Sequence, residues 1–226
     1  MTRWPIPDRS LSGNILSPQR RILKILHTIM ILNELIKSKK IILASASPRR
    51  KELMEGLGFD FIIDTRNTFE EVIPEGFDVN QAPEYLARGK SHGFHRELDE
   101  NEVIITADTM VLCNGKILGK PIDRADAMKM LKMLQNNRHT VITGVCIRDA
   151  QHEVSFSATT EVYFNALSDE ELEYYLHNYK PYDKAGAYGV QEWIGYVGIN
   201  RIEGSYYNVM GLPVQRLYTE LEKFLK

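Results

Sequence analysis

Ile41-Ile42-Leu43-Ala44-Ser45-Ala46-Ser47-Pro48-Arg49-Arg50 is a short apolar run that breaks into a hydroxyl-bearing turn and then opens a helix with two arginines in its first turn. Ser47 suits the N-cap and Pro48 suits N1, where its missing N–H is no loss, so a helix is expected from there through Leu53, Met54 and Leu57 to a stop at Gly58. Strand, turn and helix start gather free backbone N–H groups with Ser45, Ser47, Arg49 and Arg50. Two arginines against the positive end of a helix dipole are unfavourable unless an anion compensates them. The stretch therefore outlines a site for a polyanion.

Outward from this stretch the pattern alternates between strands and helices. A strand is expected at Phe61 to Ile63, then an acidic loop with Glu70 and Glu71, then a helix from about Pro83 to Phe94 that carries Lys90. Val103 to Ala107 suits a buried strand that delivers Asp108 at its end. Asn114-Gly115 marks a hairpin, and Asp123 caps a helix with apolar residues at 127, 128, 131 and 134. Two long β segments, His139 to Ile147 and Glu153 to Phe164, precede the capping box Ser168-Asp169-Glu170-Glu171. The Gly-rich loop Ala185 to Gly189 should lead into a strand from about Ile194 to Ile202. After a turn at Gly204-Ser205 and a further extended stretch, Leu212-Pro213 starts a last helix. This order predicts a mixed α/β fold with long antiparallel ribbons rather than a regular βαβ alternation.

Charge is uneven along the chain. Residues 1–40 hold eight Lys/Arg against two Asp/Glu, and the remainder holds twenty against twenty-eight, so the main body is no general nucleic-acid binder. Residues 1–37 read as an extension, a Pro/Ser/Arg-rich tail followed by an amphipathic helix from Ile22 to Ile36. Met30 stands at a suitable start ahead of a domain over 38–226. Polar and charged residues from His27 to Lys40 interrupt any apolar core for a signal peptide or membrane span, so a cytoplasmic protein without membrane contact is expected. Cys113 and Cys146 are far apart and read as reduced thiols. A Walker reading around Gly119-Lys120 fails, because it requires Gly at 114 and a hydroxyl at 121, where the chain has Asn114 and Pro121.

Ser45-Ala46-Ser47-Pro48-Arg49-Arg50, Ile105-Thr106-Ala107-Asp108-Thr109, Gly119-Lys120-Pro121, Asp183 to Gln191 and Ile202 to Pro213 together, in this order, resemble the blocks of the Maf family of nucleoside triphosphate pyrophosphatases. The resemblance covers about residues 38–226. It implies an α/β fold with a twisted mixed β-sheet, flanking helices and two lobes around a deep active-site cleft, often assembled as a homodimer. It implies a nucleoside triphosphate substrate, cleaved between the α and β phosphates. Asp108 is then the expected general base. Ser45, Arg49, Arg50, Lys90, Thr109, Lys120, Lys184 and Gln191 are the expected substrate-binding residues. A divalent cation, Mg²⁺ or Mn²⁺, would bridge phosphates and carboxylates with Glu70 or Glu71 as ligand. Arg49-Arg50, Thr109 and Gln191 resemble the branch acting on dTTP and UTP, and mark the specificity positions. Two other readings follow from the same resemblance: a 7-methyl-GTP pyrophosphatase, and a regulator of septum formation acting by binding.

Overall fold

The computed structural model describes residue 32 and residues 34–226; the expected tail and most of the expected first helix lie outside them. Leu32 and Ile36, both buried, nevertheless pack into the main core. The chain then forms β1 (Lys40–Leu43), α1 (Pro48–Glu55), β2 (Ile62–Ile63), α2 (Ala82–His92), β3 (Glu102–Cys113) and β4 (Lys116–Leu118). It continues through α3 (Arg124–Leu134), β5 (Arg138–Arg148), β6 (Glu153–Phe164), α4 (Asp169–Tyr179) and a 3₁₀ turn at Ala185–Ala187. α5 (Trp193–Gly198), β7 (Ile199–Glu203), α6 (Tyr206–Met210) and α7 (Val214–Phe224) complete it. The seven strands form one mixed, twisted sheet in the order β2-β1-β3-β5-β6-β7, with β4 on β3. β1 runs parallel to β2 and β3, and every other pairing is antiparallel.

Several elements form for the reasons legible in their residues. Ser47 caps α1 by accepting from the Arg50 N–H, with Pro48 at its start, although the helix closes at Gly56 rather than at Gly58. Asn114 and Gly115 take φ values of 51° and 72°, as a tight type I′ hairpin demands. Asp123 caps α3, and Ser168 with Glu171 forms the capping box of α4.

Three expectations are corrected. β3 does not end at Ala107: β5 pairs with it without a break from Ile104 to Leu112, so Asp108 lies in mid-strand. The expected strand from Ile194 is first the helix α5, and only Ile199–Glu203 is extended. Gly195 has no room for a side chain beside the Val190 carbonyl, so α5 folds back onto the preceding loop. The extended stretch expected after Gly204-Ser205 is the short helix α6, capped by the Ser205 hydroxyl and ended by Gly211 at φ 116°.

The sheet is packed on both faces. Leu43, Val103, Ile105, Ala107 and Val111 join α1, α3, α4 and α7 in the main core. On the opposite face Ile42 and Ile104 pack with Phe94 and Leu98, and Met110 packs with Ala82 and Leu86 of α2. α2 approaches so closely that a side chain at Gly144, the β5 partner of Asp108, would strike the backbone of Pro83 and Glu84. Thr106 secures the helix further by donating to the Ala87 carbonyl at 2.6 Å.

Candidate active site

β3 is paired unequally along its two edges. Its β5 edge is continuous, but on the other side β1 pairs only as far as Ile105 and β4 begins only at Val111. Thr106 to Met110 thus has one edge without a strand partner among the described residues. Asp108 and Thr109 sit within this gap, and α1 starts just beyond the end of β1. Alternation along the strand sends Asp108 toward α2 and Thr109 toward α1 and α6.

On the α1 side, Arg50 donates from Nε to the Gly211 carbonyl at 2.8 Å, from Nη1 to Ser45 Oγ at 3.2 Å and from Nη2 to Thr109 Oγ1 at 3.0 Å. Burial lowers the pKa of its guanidinium while the charge of Asp108 opposes that shift. Ser45 Oγ also accepts from the Ser47 N–H at 3.3 Å, so its own hydrogen is left to donate. Thr143 donates to the Asn208 carbonyl at 3.1 Å, which orients the 3.0 Å contact so that Thr109 donates to Thr143. α6 and β5 thereby lock the two groups, Arg50 and Thr109, at the open edge.

On the α2 side, Lys90 Nζ lies 2.6 Å from Asp108 Oδ1 and 3.0 Å from Glu71 Oε2. Glu71 is held there by its loop: the Thr68 N–H donates to the Gly93 carbonyl at 2.8 Å and Asn67 Nδ2 to the Lys90 carbonyl at 2.5 Å. The Phe69 ring fills the space where a side chain at Gly89 would stand, which accounts for a glycine inside α2.

The Gly-rich loop contributes a third cluster. Asp183 accepts from Arg49 Nη1 at 2.6 Å through Oδ2 and from Lys184 Nζ at 2.8 Å through Oδ1. Burial pushes its carboxyl up, but the hydrogen bonds from Lys184 and Arg49 outweigh this and hold it at about 2. Here is part of the anion that two arginines at a helix start require. The Gly186 N–H donates to the Gly119 carbonyl at 3.0 Å, setting this loop against the segment that carries Lys120. Lys120 itself is exposed. Gln191 is half-buried, and its Oε1 has no hydrogen-bond partner.

Of the expected site residues, Ser45, Arg50, Lys90, Asp108 and Thr109 come together around the gap, while Arg49 and Lys184 converge on Asp183. Glu71 reaches the group through Lys90, and Glu70 is an exposed neighbour. Sequence reasoning missed Thr143, the carbonyls of Asn208 and Gly211, and Glu192, which lies 3.0 Å from Lys184 through Oε1. None of these carries a motif of its own, although Ser205 after Gly204 was a usable N-cap signal for a helix at that place.

The model of the family described as Maf-like protein matches residues 40–224, and the chain belongs to that family. A dTTP/UTP pyrophosphatase of Phocaeicola vulgatus is 52% identical over 190 residues, covering 84% of this chain and 98% of that protein. Proteins of the same name from Porphyromonas gingivalis, strain ATCC 33277, and from Christiangramia forsetii are 50% and 44% identical, over 84% and 86% of this chain and 96% and 99% of theirs.

Proposed function

We propose that this chain hydrolyses dTTP and UTP to the nucleoside monophosphate and pyrophosphate, using the groups gathered at the open edge of β3. The observation that carries this reading is the placement of one carboxylate, Asp108, with a free oxygen among the cations Lys90 and Arg50. Attack at the α-phosphorus needs a water stripped of a proton and a leaving pyrophosphate whose charge is neutralised. Asp108 Oδ2 is the acceptor for that proton, and Lys90 fixes the carboxylate through the other oxygen. Ser45 donates its unused hydrogen to a phosphate oxygen. Arg49, Arg50, Lys90, Lys120 and Lys184 neutralise the phosphate chain.

The residues present fit a divalent cation. Among the described residues no cluster of three or more His, Cys, Asp or Glu exists, but Mg²⁺ typically takes one or two carboxylates and completes its shell with water and phosphate. Glu71, 3.0 Å from the Lys90 ammonium, supplies one and Glu70 beside it a second, which leaves Asp108 Oδ2 free to take the proton. A bound Mg²⁺ or Mn²⁺ would screen the phosphates and raise the electrophilicity of phosphorus.

Gln191 supports the pyrimidine preference. Its buried Oε1 lacks a partner, and its amide offers the donor and acceptor pair that complements the edge of uracil or thymine. Arg49 and Thr109 complete the specificity set. No helix among the described residues is long and apolar enough to cross a membrane, and cytoplasmic action on the nucleotide pool accords with this.

Pyrophosphate release from dTTP, UTP, ATP, GTP and 7-methyl-GTP with Mg²⁺ or Mn²⁺ tests the assignment. dTTP and UTP should lead, and Gln191→Glu should narrow their lead by about tenfold or more. Equal rates on all five, or a preference for 7-methyl-GTP, would overturn the substrate reading; no release from any would overturn the enzymatic one.

A further inference from the structure

Behind Lys184 stands a pair of residues that no motif announces. Glu192 accepts from Lys184 Nζ at 3.0 Å through Oε1, and its Oε2 accepts a short hydrogen bond from the Tyr175 hydroxyl. Tyr175 is fully buried on α4. Its hydroxyl accepts from the Gly189 N–H at 3.0 Å, and because an amide can only donate, the phenolic hydrogen is committed to Glu192. Space enforces the same geometry: a Cβ at Gly189 would lie 2.8 Å from Glu192 Cδ, so the loop admits this carboxylate only beside a glycine.

Lys184 is therefore tethered twice, to Asp183 Oδ1 at 2.8 Å and to Glu192, and its side chain is only 10% exposed. An ammonium has three N–H bonds in fixed tetrahedral relation. Fixing two of them fixes the third. A lysine with a single tether would sweep through several rotamers, at a cost in ordering when the anion arrives.

We propose that Tyr175 and Glu192 are a positioning pair, which aims the remaining N–H of Lys184 at the phosphate chain. This rests on the reading above that Lys184 binds phosphate. Neither residue meets substrate; Tyr175 acts through Glu192, and Glu192 through Lys184. Removing the charge of Glu192 loosens one tether and leaves Lys184 worse aimed. Turnover should therefore suffer more than substrate affinity, which loses only the cost of ordering the lysine.

The test uses the full chain with Tyr175→Phe, Glu192→Gln, Lys184→Ala and the two double variants that include Lys184→Ala. kcat and KM are measured on dTTP with Mg²⁺, and binding of inorganic pyrophosphate by calorimetry. Tyr175→Phe and Glu192→Gln should each lower kcat by about tenfold to a hundredfold while raising KM by no more than about fivefold. Added to Lys184→Ala, neither should change kcat by more than about twofold, because their effect passes through the missing lysine. Full additivity with Lys184→Ala, or near-wild-type kcat in both single variants, overturns the proposal. Should Tyr175→Phe fail to fold, the Glu192→Gln cycle decides alone. Pyrophosphate binding separates the two readings. If no nucleoside triphosphate is hydrolysed but Glu192→Gln alters pyrophosphate affinity by at least about threefold only when Lys184 is present, the activity is wrong and the positioning stands. If dTTP is hydrolysed and no coupling to Lys184 exists in kcat or affinity, the positioning is wrong and the activity stands.

Discussion

Two carboxylates on one face of β3, Glu102 and Asp108, are both paired with cations and have opposite fates. Glu102 is fully buried and saturated: Arg96 donates to both of its oxygens at 2.6 and 2.8 Å, Lys40 adds 2.8 Å and the Asp99 N–H 3.1 Å. The hydrogen bonds from Arg96 hold its carboxyl at about 2, against the opposing pull of burial. Asp108 is 14% exposed, engages one oxygen with Lys90, and has no hydrogen bond on the other among the described residues. A saturated carboxylate closes a structure; one with a spare lone pair on a strand that lacks a neighbour is available to chemistry.

The sharpest way to break this contrast is to neutralise each in turn. Asp108→Asn should lower turnover by roughly 10² to 10⁴ while the melting temperature holds, measured as pyrophosphate release and by calorimetry. Retention of near-normal turnover in a folded variant would remove Asp108 from the role of base.

The closed end can be stripped from outside. Leu32 and Ile36 join the main core, and a few residues on the Lys40 N–H donates to the Asn101 carbonyl at 2.7 Å and Lys39 Nζ to the Glu100 carbonyl at 3.1 Å. A chain beginning at Met30 should keep its stability and turnover. One beginning at Lys39 should lose about 3 to 6 kcal/mol in denaturant unfolding, the burial of two large aliphatic side chains.

Glu102→Gln should cost about 2 kcal/mol and leave kcat almost unchanged, which is the mirror image of Asp108→Asn. The pH dependence follows from the depressed carboxyl. Its contribution is complete above the ordinary carboxylate range near 4.5 and is lost as pH falls toward about 2, so the variant should show a flatter acid limb in pH-dependent melting. An unchanged acid limb would show that the clamp at the closed end contributes little.

The smallest effect belongs to the loop that brings Glu71 to the open end. Gly89→Ala drives a methyl into Phe69, and should cost about 1 to 2 kcal/mol while raising the Mg²⁺ concentration needed for half-maximal turnover. A shift in stability without any shift in metal requirement would separate the loop from the site.

The sequence made the first half of this contrast readable and obscured the second. Ser47-Pro48, Asn114-Gly115, Asp123 and the box at Ser168 determine their elements by local hydrogen bonding and φ preference, so the residues alone suffice. Asp108 looked like a strand end because the apolar run stops at Ala107. What stops near there is the pairing on one edge, a property of β1 and β4 that β3 does not encode. Ile194 to Val197 and Tyr206 to Met210 carry β-branched and aromatic residues, and their helical form follows from packing around Gly195 and from the Ser205 cap. Thr143 and Glu192 became visible only when the fold set them against Thr109 and Lys184.

The Phe69 ring seated over Gly89 has a consequence for motion. A glycine in mid-helix makes α2 weaker on its own by about 1 kcal/mol relative to alanine, and the notch it opens is filled from another segment. Helix and acidic loop then gain their order from each other, so the amides of α2 around Lys90 and those near Thr68 should exchange with solvent as one opening unit. The cation beside Asp108 and the carboxylate facing it would arrive and depart together.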